Sequence, residues 1–122
     1  MALADTDRIA AARAYVDALV SHDPSAVPLA PNCTRTELGV RTGRNGRHIA
    51  RSLARGPQFR LIHAAGEFTA TVDGPRVHTE YDVHVRPKAL GLAARVTESF
   101  DVDDDGRITR IVARFAPPRR RR

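Results

Sequence analysis

The sequence has one cysteine, one lysine, no tryptophan and no long apolar run. A lone Cys33 leaves the chain neither an internal disulfide nor a multi-cysteine zinc site. Aromatic residues are 5% of the chain, too few and too scattered to form the interleaved platforms on which nucleic-acid bases stack. No apolar segment approaches the roughly 20 residues a membrane span needs. The first twenty residues carry Asp5, Asp7, Arg8, Arg13 and Asp17, which is unlike a secretion signal. A reducing, cytoplasmic setting is therefore expected, with no membrane partner.

What is present is enough for one domain. The 122 residues are 42% hydrophobic and 28% charged, a balance that supports a packed core. The net charge is +6, and nineteen of the twenty basic residues are arginine. Four of these are Arg119 to Arg122, and without them sixteen basic residues face fourteen acidic ones. The excess belongs largely to the end of the chain, so no specific nucleic-acid partner is expected. The reading is a single domain over 1–116 followed by a flexible basic tail over 117–122.

The pattern along the chain is helical first and extended afterwards. Ile9, Ala12, Val16, Leu19 and Val20 recur at helical steps over 4–21, with Tyr15 beside the stripe, Asp5 or Thr6 as caps, and Pro24 as the stop. A short strand is expected over 32–38 and a second helix over 48–54, stopped by Gly56-Pro57. Then 59–72, 76–85, 92–102 and 107–115 read as four strands. They are linked by Asp73-Gly74, by 87–91 and by Asp103-Asp104-Asp105-Gly106. Helices followed by an antiparallel meander make an α+β domain.

Three polar residues sit where the pattern is apolar. Glu98 lies mid-strand on a face shared with Leu92, Ala94, Val96, Phe100 and Val102, a costly place for a carboxylate that is neither paired nor protonated. Glu37 ends the only early strand, just before Gly39. Tyr15 flanks the buried stripe of the first helix, where a phenol needs a partner. A buried hydroxyl and a protonated carboxylic acid stabilise an enolate oxygen, and a second carboxylate shuttles the proton.

Ala14-Tyr15-Val16-Asp17-Ala18-Leu19 with His22-Asp23, then Pro31-Asn32-Cys33-Thr34, and finally Ser99-Phe100-Asp101-Val102 with Gly106-Arg107-Ile108, resemble the NTF2-like superfamily in its SnoaL-like and steroid-isomerase-like branches. The resemblance implies a cone, with N-terminal helices packed on a curved, mainly antiparallel sheet enclosing a pocket. It implies the roles of hydrogen-bonding tyrosine for Tyr15, proton-shuttling carboxylate for Glu37 and protonated oxyanion-hole acid for Glu98. The last two are Glu where those isomerases have Asp. Val16, Leu19, Leu53, Phe59, Phe68, Tyr81, Val83, Val96, Phe100 and Phe115 are the expected lining, with Leu29 near them. The implied function is cofactor-independent isomerisation, cyclisation or lysis of an apolar carbonyl compound, in a homodimer joined through the sheet. The alternative is a noncatalytic dimeric module that binds a small molecule or a protein. The Asp-Arg-Asp set of the limonene-epoxide-hydrolase branch finds no place in this reading.

Other motifs reduce to structure. His78, Glu80, Asp82 and His84 share a polar strand face, read as hydrated or, as the resemblance implies, facing a second subunit, with contacts of Arg76 and Arg86 to Glu80 and Asp82 crossing between subunits. No metal site is expected there or at Asp103–Asp105, which lacks the rest of a calcium loop. Arg41, Arg44 and Arg47 around Gly43 and Gly46 follow no phosphate-loop pattern.

Overall fold

The computed structural model describes residues 3–120. Helix α1, Asp5–Ser21, is followed by a 3-10 turn at Pro24–Ala26 and by strands β1, Leu29–Glu37, and β2, Val40–Gly43. Helices α2, Gly46–Arg55, and α3, Pro57–Arg60, precede β3, Ile62–Asp73, and β4, Arg76–Val85. A second 3-10 turn at Lys88–Leu90 leads to β5, Leu92–Val102, β6, Ile108–Phe115, and the two-residue β7, Arg119–Arg120. The helices lie against one face of the sheet, α1 over β3 to β5 and α2 over β1.

The expected meander is present as β3-β4-β5-β6, each pair antiparallel. β1 then adds parallel to β6, and β2 adds antiparallel to β1, so the sheet is mixed. The expected cone enclosing a pocket is corrected. The strand order is β2-β1-β6-β5-β4-β3, and the outer strands β2 and β3 do not pair with each other. Closure requires the two edges to meet at a fixed stagger. Here the edges lie at opposite sides of the sheet, and β2 is only four residues long. The result is an open sheet with helices on one side.

Helix α1 is rotated slightly from the expected stripe. Arg8, Ala11, Ala12, Tyr15, Val16, Ala18 and Leu19 are buried, while Ile9 and Val20 are half-buried. The rotation follows from Arg8, whose guanidinium donates to the Val102 carbonyl and to Asp104 Oδ1 at 2.8 Å, tying the helix to the end of β5. The helix starts at Ala4 without a side-chain cap, in place of the expected Asp5 or Thr6. His22 ends it with φ 61.

β2 and α3 were not expected. The β1–β2 link is a two-residue turn, Leu38-Gly39, with φ of 52 and 80, the geometry that suits a tight hairpin. α2 is capped by Asn45, whose side chain accepts from the His48 amide at 2.8 Å. It buries Gly46, Ile49 and Leu53. A Cβ on Gly46 would lie 2.4 Å from the Ala30 carbonyl oxygen, a backbone atom that cannot swing away. Gly46→Ala is therefore expected to cost about 1–3 kcal/mol, read as a lower urea midpoint at unchanged slope. An unchanged midpoint would show that α2 can lift off β1.

The chain end is partly structured. β6 stops at Phe115 opposite Val96, and Arg119 and Arg120 pair further along β5 with Ala93 and Leu92. Arg121 and Arg122, read above as part of a flexible tail, lie outside the described residues.

Candidate functional site

Alternation along β1 builds the first half of the site. Cys33, Arg35 and Glu37 are two residues apart, so they share the face turned toward the helices. Cys33 and Arg35 are buried, and the Glu37 side chain is only 12% exposed. Sheet register builds the second half. Glu37 stands opposite Ala113 of β6, and Ala113 stands opposite Glu98 of β5. Two strand spacings place the carboxylate-bearing backbones roughly 10 Å apart, with only a methyl group between them. α1 lays Tyr15 over this row, its ring edge against Phe100 at 5.3 Å between centroids.

A cleft of about 310 Å³ opens there, lined mostly by carbon. Tyr15, Glu37, Tyr81 and Glu98 are on its wall, with Gln58, Leu61 and Pro118 among its other residues. The sequence reading named Tyr15, Glu37 and Glu98, and the fold brings all three to this one surface. Leu19, Phe59, Tyr81, Val83, Val96 and Phe115 also line it. Val16 and Phe68 instead face a second groove of about 580 Å³ between α1 and β3, and Leu53 and Phe100 are fully buried core. The larger groove holds none of the three candidate groups, so the smaller cleft is the candidate site.

Burial sets the protonation states. Loss of water raises Glu98 from the usual carboxylate range to about 8, assisted by the Glu37 charge and opposed by the Tyr81 hydrogen bond and Arg35. Glu98 is thus a neutral acid at pH 7. The Tyr81 hydroxyl donates to Glu98 Oε1. Burial also drives both phenols upward, Glu98 being the next cause in each case, so Tyr15 and Tyr81 stay protonated. Cys33 is pushed up to about 12 by burial, against the pull of Arg35, and a thiol held neutral is a poor nucleophile.

The residue that sequence reasoning missed is Arg35. It is 1% exposed, and its Nη1 donates to Tyr15 Oη at 3.2 Å. Its Nε lies 3.9 Å from Glu37 Oε1. A signal was available. Once Cys33 is taken as core and Glu37 as facing the helices, the two-residue period puts Arg35 inward between them.

The remaining polar groups are elsewhere. Within the chain, Arg76 pairs with Asp101 at 2.8 Å and Arg95 with Asp82 at 3.2 Å. Among the described residues, no three His, Cys, Asp or Glu side chains gather as a metal site. No helix of the described residues is long and apolar enough to cross a membrane.

A family model, described as "Domain of unknown function (DUF8021)", matches residues 3–115. This chain is a DUF8021 domain. No curated protein matches it. Among solved structures, the DUF8021 domain is similar to an LEH-like epoxide hydrolase from M. tuberculosis. That likeness has 29% identity and a TM-score of 0.69, covering 91% of this chain and 84% of that one. A protein proposed to be a polyketide cyclase, from Sinorhizobium meliloti, is 25% identical with a TM-score of 0.65, covering 84% and 92%. A de novo designed protein with a curved β-sheet matches in fold alone, at 16% identity and a TM-score of 0.76, over 94% and 89%. A designed chain among the matches is a reminder that this architecture does not carry an activity by itself. The two natural proteins support the NTF2-like superfamily and do not select a branch within it.

Proposed function

We propose that this DUF8021 domain is a cofactor-independent acid–base catalyst that moves a proton on an apolar carbonyl compound. The observation that carries the reading is the pairing of two backed donors with one base on an apolar wall. Tyr15 is backed by Arg35, Glu98 is backed by Tyr81, and Glu37 completes the set. A ligand carbonyl oxygen placed between Tyr15 Oη–H and the protonated Glu98 accepts from both. Glu37 then removes a proton from the adjacent carbon, and the two donors hold the charge that moves onto oxygen. Return of that proton to another carbon gives an isomerase. Attack of the carbanion on an internal electrophile gives a cyclase, and loss of a leaving group gives a lyase.

A second reading is hydration of an epoxide. The Arg35 and Glu37 pair on one strand face, together with 29% identity to the epoxide hydrolase, favours it. Glu37 would then deprotonate a water while Glu98 or Tyr15 protonates the opening oxygen.

One experiment separates the two. The protein is incubated in D2O with a panel of cyclic enones and polyketide-like ketones, and separately with cyclic and terminal epoxides. NMR follows deuterium entry next to the carbonyl and diol formation. Proton transfer predicts deuterium without diol, hydration predicts diol without deuterium, and binding with neither outcome sinks both catalytic readings.

A further inference from the structure

A buried guanidinium is tolerated only where partners meet its donors and its charge, and in Arg35 those partners lead to the cleft. The acceptors of its N–H groups are spread over three elements. Nε donates to Thr42 Oγ1 at 3.1 Å, and Nη2 donates to the Thr42 carbonyl at 3.2 Å and to Ser52 Oγ at 2.9 Å. The Ser52 hydroxyl donates to the Ile49 carbonyl at 2.7 Å, which leaves its oxygen free to accept from Arg35. The group also stacks over Phe59 at 4.7 Å. β2 and α2 thus clamp the guanidinium plane, and the remaining fork reaches Tyr15 on α1.

We propose that Arg35 is a positioning residue that aims the Tyr15 proton into the cleft and holds Glu37 as the facing carboxylate. This rests on the reading of the cleft as an acid–base site. A phenol oxygen has one proton to give and lone pairs to receive. Arg35 occupies the receiving side from behind, and among the described residues no protein acceptor takes the Tyr15 proton. That proton is left for whatever oxygen enters the cleft. A charged donor behind the phenol also strengthens its forward hydrogen bond. The same cation faces Glu37, so one clamped group prepares both the donor and the base. Lysine cannot reproduce this, since a point charge on a flexible stem lacks the planar fork.

The chain contains only two tyrosines, Tyr15 and Tyr81, which makes a direct test available. Tyrosine labelled with 13C at Cζ gives two signals, assigned with Tyr15→Phe. Arg35→Lys is expected to move the Tyr15 signal and leave Tyr81 nearly in place. In parallel, binding of 2-naphthol at pH 7 is compared with binding of naphthalene. The variant is expected to weaken the naphthol by roughly tenfold and to leave naphthalene within about twofold. Arg35→Gln, shorter and uncharged, serves as the second variant if Arg35→Lys does not fold.

An unmoved Tyr15 signal overturns the proposal. So does equal weakening of both ligands, which a purely structural Arg35 would produce. If neither ligand binds the wild type, the NMR arm decides alone. A Tyr15 signal that depends on Arg35, in a protein inert toward ketones and epoxides, keeps this proposal and removes the catalytic reading. The opposite pattern removes this proposal only.

Discussion

Glu37→Gln is expected to lower deuterium exchange into a turned-over ketone by about two to four orders of magnitude, with the domain still folded. The amide fills the same space and keeps an oxygen in place, but it has no basic carboxylate to accept a proton. Glu37→Asp keeps the charge and withdraws it by one methylene. A displacement of about 1 Å is expected to cost on the order of a hundredfold, so the two variants should be graded. Stability responds separately. Removing the carboxylate leaves Arg35 its bonds to Thr42, Ser52 and Tyr15 but not its facing charge. The 3.9 Å contact is too long for a direct hydrogen bond, so the loss should fall below the several kcal/mol of a tightly bonded buried pair. Exchange within about threefold of wild type in Glu37→Gln would sink the assignment of Glu37 as base.

The parts of this molecule that were legible in the sequence are those governed by local period. Arg76–Val85 alternates cleanly, Leu92–Val102 carries an apolar face broken by Glu98, and both strands form with those bounds. Asp73-Gly74 and Asp103 to Gly106 form their turns because Gly74 and Gly106 supply φ of 61 and 81. Glu98 was found because a charge on an otherwise apolar strand face breaks a pattern. β2 was not legible, because the four residues Val40–Gly43 are too short a run to show a period and are held extended by pairing with β1. The same holds for α3, a single turn that forms once Gly56 accepts from Phe59 and Arg60. Whether the sheet closes was not legible either, because closure depends on whether distant edges meet. Arg8 and Arg35 illustrate a third limit. Side-chain type alone sends arginine to the surface, and only long-range partners, Val102 and Asp104 for one and Tyr15, Thr42 and Ser52 for the other, make its burial tolerable.

Stability of the wild-type domain relative to Glu98→Gln is expected to fall as pH rises from about 4.5 to about 8. The unfolded chain releases the Glu98 proton near the ordinary value of 4.5, whereas burial holds it on the folded protein up to about 8. Between those limits the native state binds the extra proton, so each rise in pH favours the unfolded state. The slope from one such group is at most about 1.4 kcal/mol per pH unit. Below about pH 4.5 both states are protonated, and above about 8 both have released the proton, so the difference is level at both ends. Glutamine removes the titration while leaving an oxygen to accept from Tyr81, so that hydroxyl keeps its partner. Urea unfolding of both proteins at steps from pH 4 to 9 measures the difference, and the other carboxylates and histidines cancel between them. A flat difference across pH 5–8 would mean that Glu98 titrates as an ordinary surface carboxylate. It would then be ionised at pH 7 and unable to donate to a ligand oxygen. The declining difference predicts in turn that wild-type exchange activity drops above about pH 8, where the acid beside Tyr81 is lost and its charge repels the developing oxyanion.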